Sequence, residues 1–145
     1  MRQTEETVQT QVELRAAKES DCRKFWEWRN ESATREASFD TSIIPYDIHE
    51  RWYAKSLFDP SSRLFVALNG SGEEIGYVRF QITGHAAEIS VSLDKRFRGQ
   101  GLGTMVIKAG CERIMREPQV EQIIAHVKCD NQASFAAFQK AGFAV

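Results

Sequence analysis

The segment Leu93-Asp94-Lys95-Arg96-Phe97-Arg98-Gly99-Gln100-Gly101-Leu102-Gly103-Thr104 constrains this chain more than any other. It follows a run with the two-residue alternation of a strand. It leads into a stretch where Leu102, Met105, Val106 and Ala109 recur at helical spacing. Glycine at every second position lets the backbone turn tightly and approach a ligand with no Cβ in the way. The amides of Gly99, Gln100, Gly101, Leu102, Gly103 and Thr104 stand where a helix begins, and there unpaired N–H groups and the helix dipole favour an anion. Lys95, Arg96 and Arg98 add positive charge. Together these features describe a cradle for a diphosphate. Two familiar phosphate loops do not fit. A Gly-x-x-x-x-Gly-Lys loop needs a lysine after its last glycine, where Thr104 stands. The dinucleotide fingerprint needs Gly-x-Gly-x-x-Gly, but Gly99, Gly101 and Gly103 are evenly spaced.

Any such anion must be held locally. Nineteen basic and twenty acidic side chains leave a net charge of −1, so no broad field draws in nucleic acid or an anionic membrane, and neither is an expected partner. No apolar run is long enough to span a bilayer, and the polar start Met1-Arg2-Gln3-Thr4-Glu5-Glu6 is unlike a secretory signal. Cys22, Cys111 and Cys129 are odd in number and far apart, with no Cys-x-x-Cys pair. Neither a disulfide framework nor a metal site is expected, and a reducing, cytoplasmic setting is.

Residues 1–11 read as a flexible tail and 12–145 as one domain, a length sufficient for a real core. A short strand is expected over Val12–Ala16, and a helix from Ser20-Asp21 through Phe25, Trp26 and Arg29. The stretch from Glu31 to Thr41 has mixed periodicity. Ile44-Pro45 interrupts any helix, and Asp47 is placed to cap the next one, which runs to Leu57. Strands over 64–68 and 75–80 flank the hairpin signal Asn69-Gly70-Ser71-Gly72. A strand over 87–93, a helix over 102–116 stopped by Pro118, a strand over 122–127 and a helix over 131–140 follow. Gly142 suits a left-handed stop, and Phe143-Ala144-Val145 begins one more strand. The result is an α+β domain with a mixed, mostly antiparallel sheet flanked by helices.

The spacing Arg98-x-x-Gly101-x-Gly103 after a strand resembles the signature of the GCN5-related N-acetyltransferases. So do Asn131-Gln132-Ala133-Ser134-Phe135 through Phe138-Gln139-Lys140-Ala141-Gly142-Phe143, and Ala87-Glu88-Ile89 opening the strand before the loop. The resemblance covers roughly residues 12–145. It implies acetyl-CoA as co-substrate, a pair of central strands that splay apart at the CoA site, and loop amides on the CoA pyrophosphate. It also implies backbone contacts from Val91 and Leu93 to the pantetheine arm, with Asn131, Ser134 and Phe138 beside that arm. Relatives usually carry a full strand or more after the Gly-Phe pair. Here the chain stops at Val145, so that strand is expected to be cut short. A second subunit or the N-terminal tail would then cover the sheet edge, and a homodimer is expected.

Acetyl transfer to an amine needs the neutral nucleophile, and an alkyl ammonium with a pKa near ~10.4 is only about one part in a thousand neutral at pH 7. Alternation puts Ile89, Val91 and Leu93 on one face of their strand and Glu88, Ser90 and Ser92 on the other. A polar row of this kind suits a wet cleft better than a dry core, which makes Glu88 the leading base. Its other reading is a carboxylate paired with Arg79 or Lys128. His126 is a second base candidate. Many relatives carry a tyrosine as general acid where Phe138 stands, leaving Tyr77, Ser134 or water for that role.

Trp28-Arg29-Asn30 followed by His49-Glu50-Arg51-Trp52 is similar to enzymes acting on nucleotide-linked amino sugars in pseudaminic acid biosynthesis, and to protein N-terminal acetyltransferases. The resemblance therefore nominates Arg29, Asn30, Tyr46, His49, Trp52, Tyr77 and Arg79 for the acceptor. Arg29, Arg35 and Arg51 are placed to meet a diphosphate. A small-molecule amine is the expected acceptor and a peptide N-terminus the second. A CoA-binding sensor without turnover is the alternative of another class.

Overall fold

The computed structural model describes residues 11–145; the tail expected over 1–11 falls, but for Gln11, outside them. Five strands form one sheet in sequence order: β1 (Glu13–Ala16), β2 (Ser62–Leu68), β3 (Glu74–Thr83), β4 (Ala86–Leu93) and β5 (Gln122–Ala125). The first four are antiparallel neighbours, while β5 pairs parallel to β4, so the sheet is mixed and mostly antiparallel as expected. Five α-helices accompany it: α1 (Cys22–Asn30), α2 (Ser32–Ala37), α3 (Tyr46–Phe58), α4 (Leu102–Ile114) and α5 (Gln132–Lys140).

Strand alternation divides the core into two layers. Phe65 and Ala67 of β2, Val78 and Phe80 of β3, and Ala87 and Ile89 of β4 face Leu102, Val106, Ile107 and Ile114 of α4. Leu64, Val66 and Tyr77 face Phe25 and Trp28 of α1 and Tyr53 of α3. Helices thus cover both faces, and burial of these apolar side chains is the main stabilising term. Gly76 lets β3 and β4 approach closely: a Cβ there would collide with the Ser92 carbonyl oxygen and lie 2.9 Å from Leu93 Cα.

Several local expectations are corrected. The mixed stretch after Glu31 contains α2, six residues long. Pro45, and not Asp47, is the N-cap of α3; Asp47 lies in the first turn. Phe143 to Val145 take no strand conformation. The chain instead closes α5 with Gly142 at φ 107°, its N–H donating to Gln139 O and that of Phe143 to Phe138 O, each at 3.0 Å. The Phe138 and Phe143 rings meet edge-on at 5.1 Å, the apolar contact that accompanies this helix stop.

Candidate active site

β5 pairs with β4 from Ala86 opposite Gln122 to Ile89 opposite Ala125, and there the ladder ends. β4 runs on to Leu93 still paired with β3 but with no strand on its β5 side, so the two strands splay. A cavity of about 670 Å³ opens in this gap, walled by β4, His126 and Val127 after β5, the start of α5, and α2. The Asp94 N–H donates to Ile75 O of β3 at 2.8 Å. By alternation the N–H and C=O of Val91 and Leu93 point the other way, into the gap.

Beside the gap, α4 begins at Leu102 with Gly101 as N-cap and no side chain closing its first turn. The amides of Leu102, Gly103 and Thr104 therefore have no partner inside the helix. Gly99 and Gly101 have φ of 75° and 79°, and a Cβ at either would meet nothing within 4 Å, so the loop is open on that side. Leu102 is buried and packs in the core beneath the loop. This arrangement fits the diphosphate of CoA. The amides from Gly99 to Thr104 would hold it, and the strand edge at Val91 and the Leu93 N–H would receive the arm that carries the thioester, the Leu93 carbonyl being taken by Arg98. Among the described residues no group of three or more His, Cys, Asp or Glu could hold a metal ion.

A sheet that opens after its fourth strand, with a bare glycine-rich helix start beside the opening, is the architecture of a CoA-dependent acyl-transfer domain. The family model described as "Acetyltransferase (GNAT) domain" matches residues 11–144, and the chain belongs to that family. It is 33% identical over 88 residues to the uncharacterized protein YdhI of Bacillus subtilis (strain 168), a stretch covering 54% of this chain and 48% of that protein. It is 35% identical over 79 residues to the mycothiol acetyltransferase of Corynebacterium glutamicum (strain R), covering 51% of this chain and 26% of that one. The matched stretches thus span half or less of these curated relatives. Spermidine N-acetyltransferase from Vibrio cholerae, solved with CoA and spermine, has the same fold (TM-score 0.84, 22% identity, 93% of this chain and 82% of that one).

Glu88, Ser90 and Ser92 line the cavity as one row, with Tyr77 and Arg79 of β3 on the same face. Glu88 pairs with neither Arg79 nor Lys128 but faces His126, whose Nε2 is 3.8 Å from Oε1. Both side chains are more than half exposed, and both line the cavity. Asn131, Ser134 and Phe138 line the α5 side. The Asn131 side chain caps α5 by accepting from the Ser134 N–H at 3.1 Å. Phe138 presents a ring, and among the described residues the Tyr77 hydroxyl has no hydrogen-bond partner while its ring stacks on Phe25 at 4.8 Å.

Arg98 does not turn outwards to the glycine loop. Its Nη2 lies 2.6 Å from Glu31 Oε2, 3.1 Å from Thr34 Oγ1 and 2.8 Å from Leu93 O. The Arg98 side chain holds the Glu31 carboxyl below its ordinary pKa. Thr34 Oγ1 is also 3.0 Å from Ser92 Oγ, and Lys128 Nζ donates to Glu36 O at 2.8 Å. α2 is thereby strapped across the cleft. Nothing in its sequence marks it, since its apolar positions are only alanines.

Part of the expected acceptor set lies elsewhere. His49 is fully buried, and the cavity does not reach it. Its Nε2 donates to Cys22 O at 2.8 Å and its Nδ1 accepts from Arg29 Nη1 at 3.0 Å. Burial holds its pKa down to about 4, so it is neutral. Asn30 spends its side-chain amide on the Ile44 backbone, accepting at 2.7 Å and donating at 3.0 Å. Tyr46 packs edge-on against Trp26 at 5.2 Å, outside the cavity wall. Arg35 donates to Asn30 O and Thr41 O, and Arg51 pairs with Asp47 on the surface. Neither is available to the site. Arg29 and Trp52 also stand outside the cavity wall, but Trp52 carries two guanidiniums, Arg29 at 4.1 Å and the cavity-lining Arg79 at 5.2 Å from its ring centre.

Proposed function

We propose that this chain transfers an acetyl group from acetyl-CoA to a primary amine, with the two substrates bound together and Glu88 and His126 receiving the amine's proton. The observation that carries the reading is the juxtaposition of that pair with the unpaired edge of β4. Acetyl-CoA supplies the activated thioester. The chain's own residues do the rest. The Val91-to-Leu93 backbone orients the arm and offers N–H donors where negative charge develops on the carbonyl oxygen. Glu88, directly or through His126 or a water, takes the proton that keeps most amines unreactive at neutral pH. Tyr77 and Ser134 hold the hydroxyls able to return a proton to the departing sulfur, a part Phe138 cannot play.

A nucleotide-linked amino sugar is the first acceptor reading, supported by Arg79 in the cleft wall with Arg29 beside it on Trp52, and a peptide N-terminus is the second. The bound spermine of the Vibrio cholerae structure is polycationic, whereas the acceptor end of this cleft contains Arg79. β5 is a sheet edge, and pairing there with a second copy is the proposed dimer contact, tested by sedimentation. A cytoplasmic setting is part of the proposal; no helix of the described residues is long and apolar enough to cross a membrane. The deciding experiment measures CoA thiol release across amino sugars, their nucleotide conjugates, short peptides and polyamines. Turnover concentrated in the nucleotide sugars supports the first reading, and turnover on peptides moves the second ahead. Tight CoA binding with no turnover on any amine overturns both in favour of a sensor.

A further inference from the structure

The half-buried arginines of this protein are satisfied in all but two cases. Arg15, Arg63 and Arg98 each meet a carboxylate at 2.6–2.8 Å, and Arg35 donates to two carbonyls. Arg29 and Arg79 form no ion pair among the described residues. Among the described residues the Arg29 side chain hydrogen-bonds only to the neutral ring of His49. Among the described residues the Arg79 side chain has no hydrogen bond, and its Nε is buried without a partner. Yet the two share the Trp52 ring and repel each other: burial first, and then the charge of Arg79, pushes the pKa of Arg29 down. Two like charges held close together and half-buried, with no counter-ion among the described residues, incur a cost that a bound anion would reduce.

The placement of Arg79 says what that anion belongs to. Arg79 lines the cavity and stands opposite Ser90 on β4, so Glu88 is its diagonal neighbour on the same face. Diagonal neighbours on paired strands are about 7–8 Å apart. The two side chains do not pair with each other: Glu88 turns to His126, and Arg79 lies against Trp52. The cleft floor therefore has an acidic end, where an amine loses its proton, and a cationic end one short step away. Planar guanidiniums fixed on an aromatic ring suit the oxyanions of carboxylate or phosphate.

We propose that Arg79 and Arg29, seated on Trp52, form an anion subsite for the acceptor. The acceptor class is then an amine bearing a carboxylate or phosphate several bonds away, as in a short peptide or a phosphorylated amino sugar. This rests on the acetyltransferase reading above. His49, which orients Arg29, and Trp52 act on the substrate through the two arginines.

The test has a binding arm and a kinetic arm, both on the full chain. Inorganic phosphate is titrated while the indole N–H resonance of Trp52 is followed by NMR, with CoA saturating so that the glycine loop is occupied. The proposal expects a saturable Trp52 shift that is lost in Arg79→Met and partly retained in Arg79→Lys. In the kinetic arm, kcat/KM is compared for glucosamine 6-phosphate against glucosamine, and for Ala-Ala against its C-terminal amide. One pair should favour the anionic member by about 10–100-fold, and Arg79→Met should abolish that preference. The favoured pair tells phosphate from carboxylate. An unmoved Trp52 signal overturns the subsite, and a shift without kinetic preference overturns its role in acceptor recognition. Failure of every amine to be acetylated would sink the acetyltransferase reading instead, while the Trp52 response would still decide the anion subsite.

Discussion

The Nε2 of His126 lies 3.8 Å from Oε1 of Glu88, across the point where β4 and β5 part company. Ile124 is the register partner of Glu88, and His126, two residues on, follows it on the same face just past the last paired residue, Ala125. One more rung of ladder would place a strand where the thioester arm must lie. One fewer would withdraw His126 from Glu88. Because the pair is brought together by strand register, His126→Gln should lower kcat by about 10-fold with little change in the KM for acetyl-CoA. Steady-state kinetics in both substrates checks this.

The glycine loop should separate affinity from stability. Gly101→Ala forces an L-residue to φ 79°, at a cost of about 1–2 kcal/mol, and adds a Cβ on the open side of the loop. The KM for acetyl-CoA should rise by about 10-fold or more, with only a modest fall in the thermal midpoint. Gly76→Ala is the contrasting case. Its Cβ would strike backbone atoms of Ser92 and Leu93, so the loss is expected to be about 3 kcal/mol or more, seen in urea unfolding.

Acid should weaken the fold through His49. Its folded pKa, about 4, is below the ordinary 6.5 because the ring is buried. The unfolded chain therefore takes up the proton first as pH falls. The stabilisation is fully present above pH 6.5 and is lost progressively towards pH 4, on the order of 2–3 kcal/mol in all. Asp94 extends the loss further. Burial acts to raise its pKa, but hydrogen bonds from Arg96 and Trp28 outweigh it and bring it to about 2. Urea midpoints at pH 7 and pH 5 measure the effect, and His49→Gln should flatten the difference.

Arg98 should matter through α2. Arg98→Met leaves Glu31 without its cation and removes one of the two ties of the Thr34 side chain, leaving only its contact with Ser92 of β4. A stability loss of about 1–2 kcal/mol is expected, together with faster proteolysis within residues 31–39. A double-mutant cycle with Glu31→Gln isolates the pair.

These relationships were unequally legible in the sequence. The loop, the strand before it and α5 could be read because backbone chemistry fixes their residue types: glycine at positive φ, asparagine at a cap, alternation along a half-buried strand. Glu88 and the row behind it followed from the same alternation. The acceptor side did not. His49 looks like a pocket residue by its neighbours Tyr46 and Trp52, but tertiary packing buries it and turns it into a support for Arg29. Arg98 sits within the loop signature, yet its guanidinium reaches 64 residues back in sequence to Thr34. α2 lacks an apolar stripe because it is held by polar straps from three other segments. Only Gly76 carried a usable signal that went unread, a glycine in the middle of an apolar strand.

Glu88 is proposed to receive the proton of the amine that the chain acetylates. The most direct measurement is CoA release at saturating acetyl-CoA, with the best amine from the panel, in the native protein and in Glu88→Gln. The account predicts that kcat falls about 100-fold while the KM for acetyl-CoA stays within about 2-fold, since Glu88 stands apart from the glycine loop. An unchanged kcat in Glu88→Gln would contradict it.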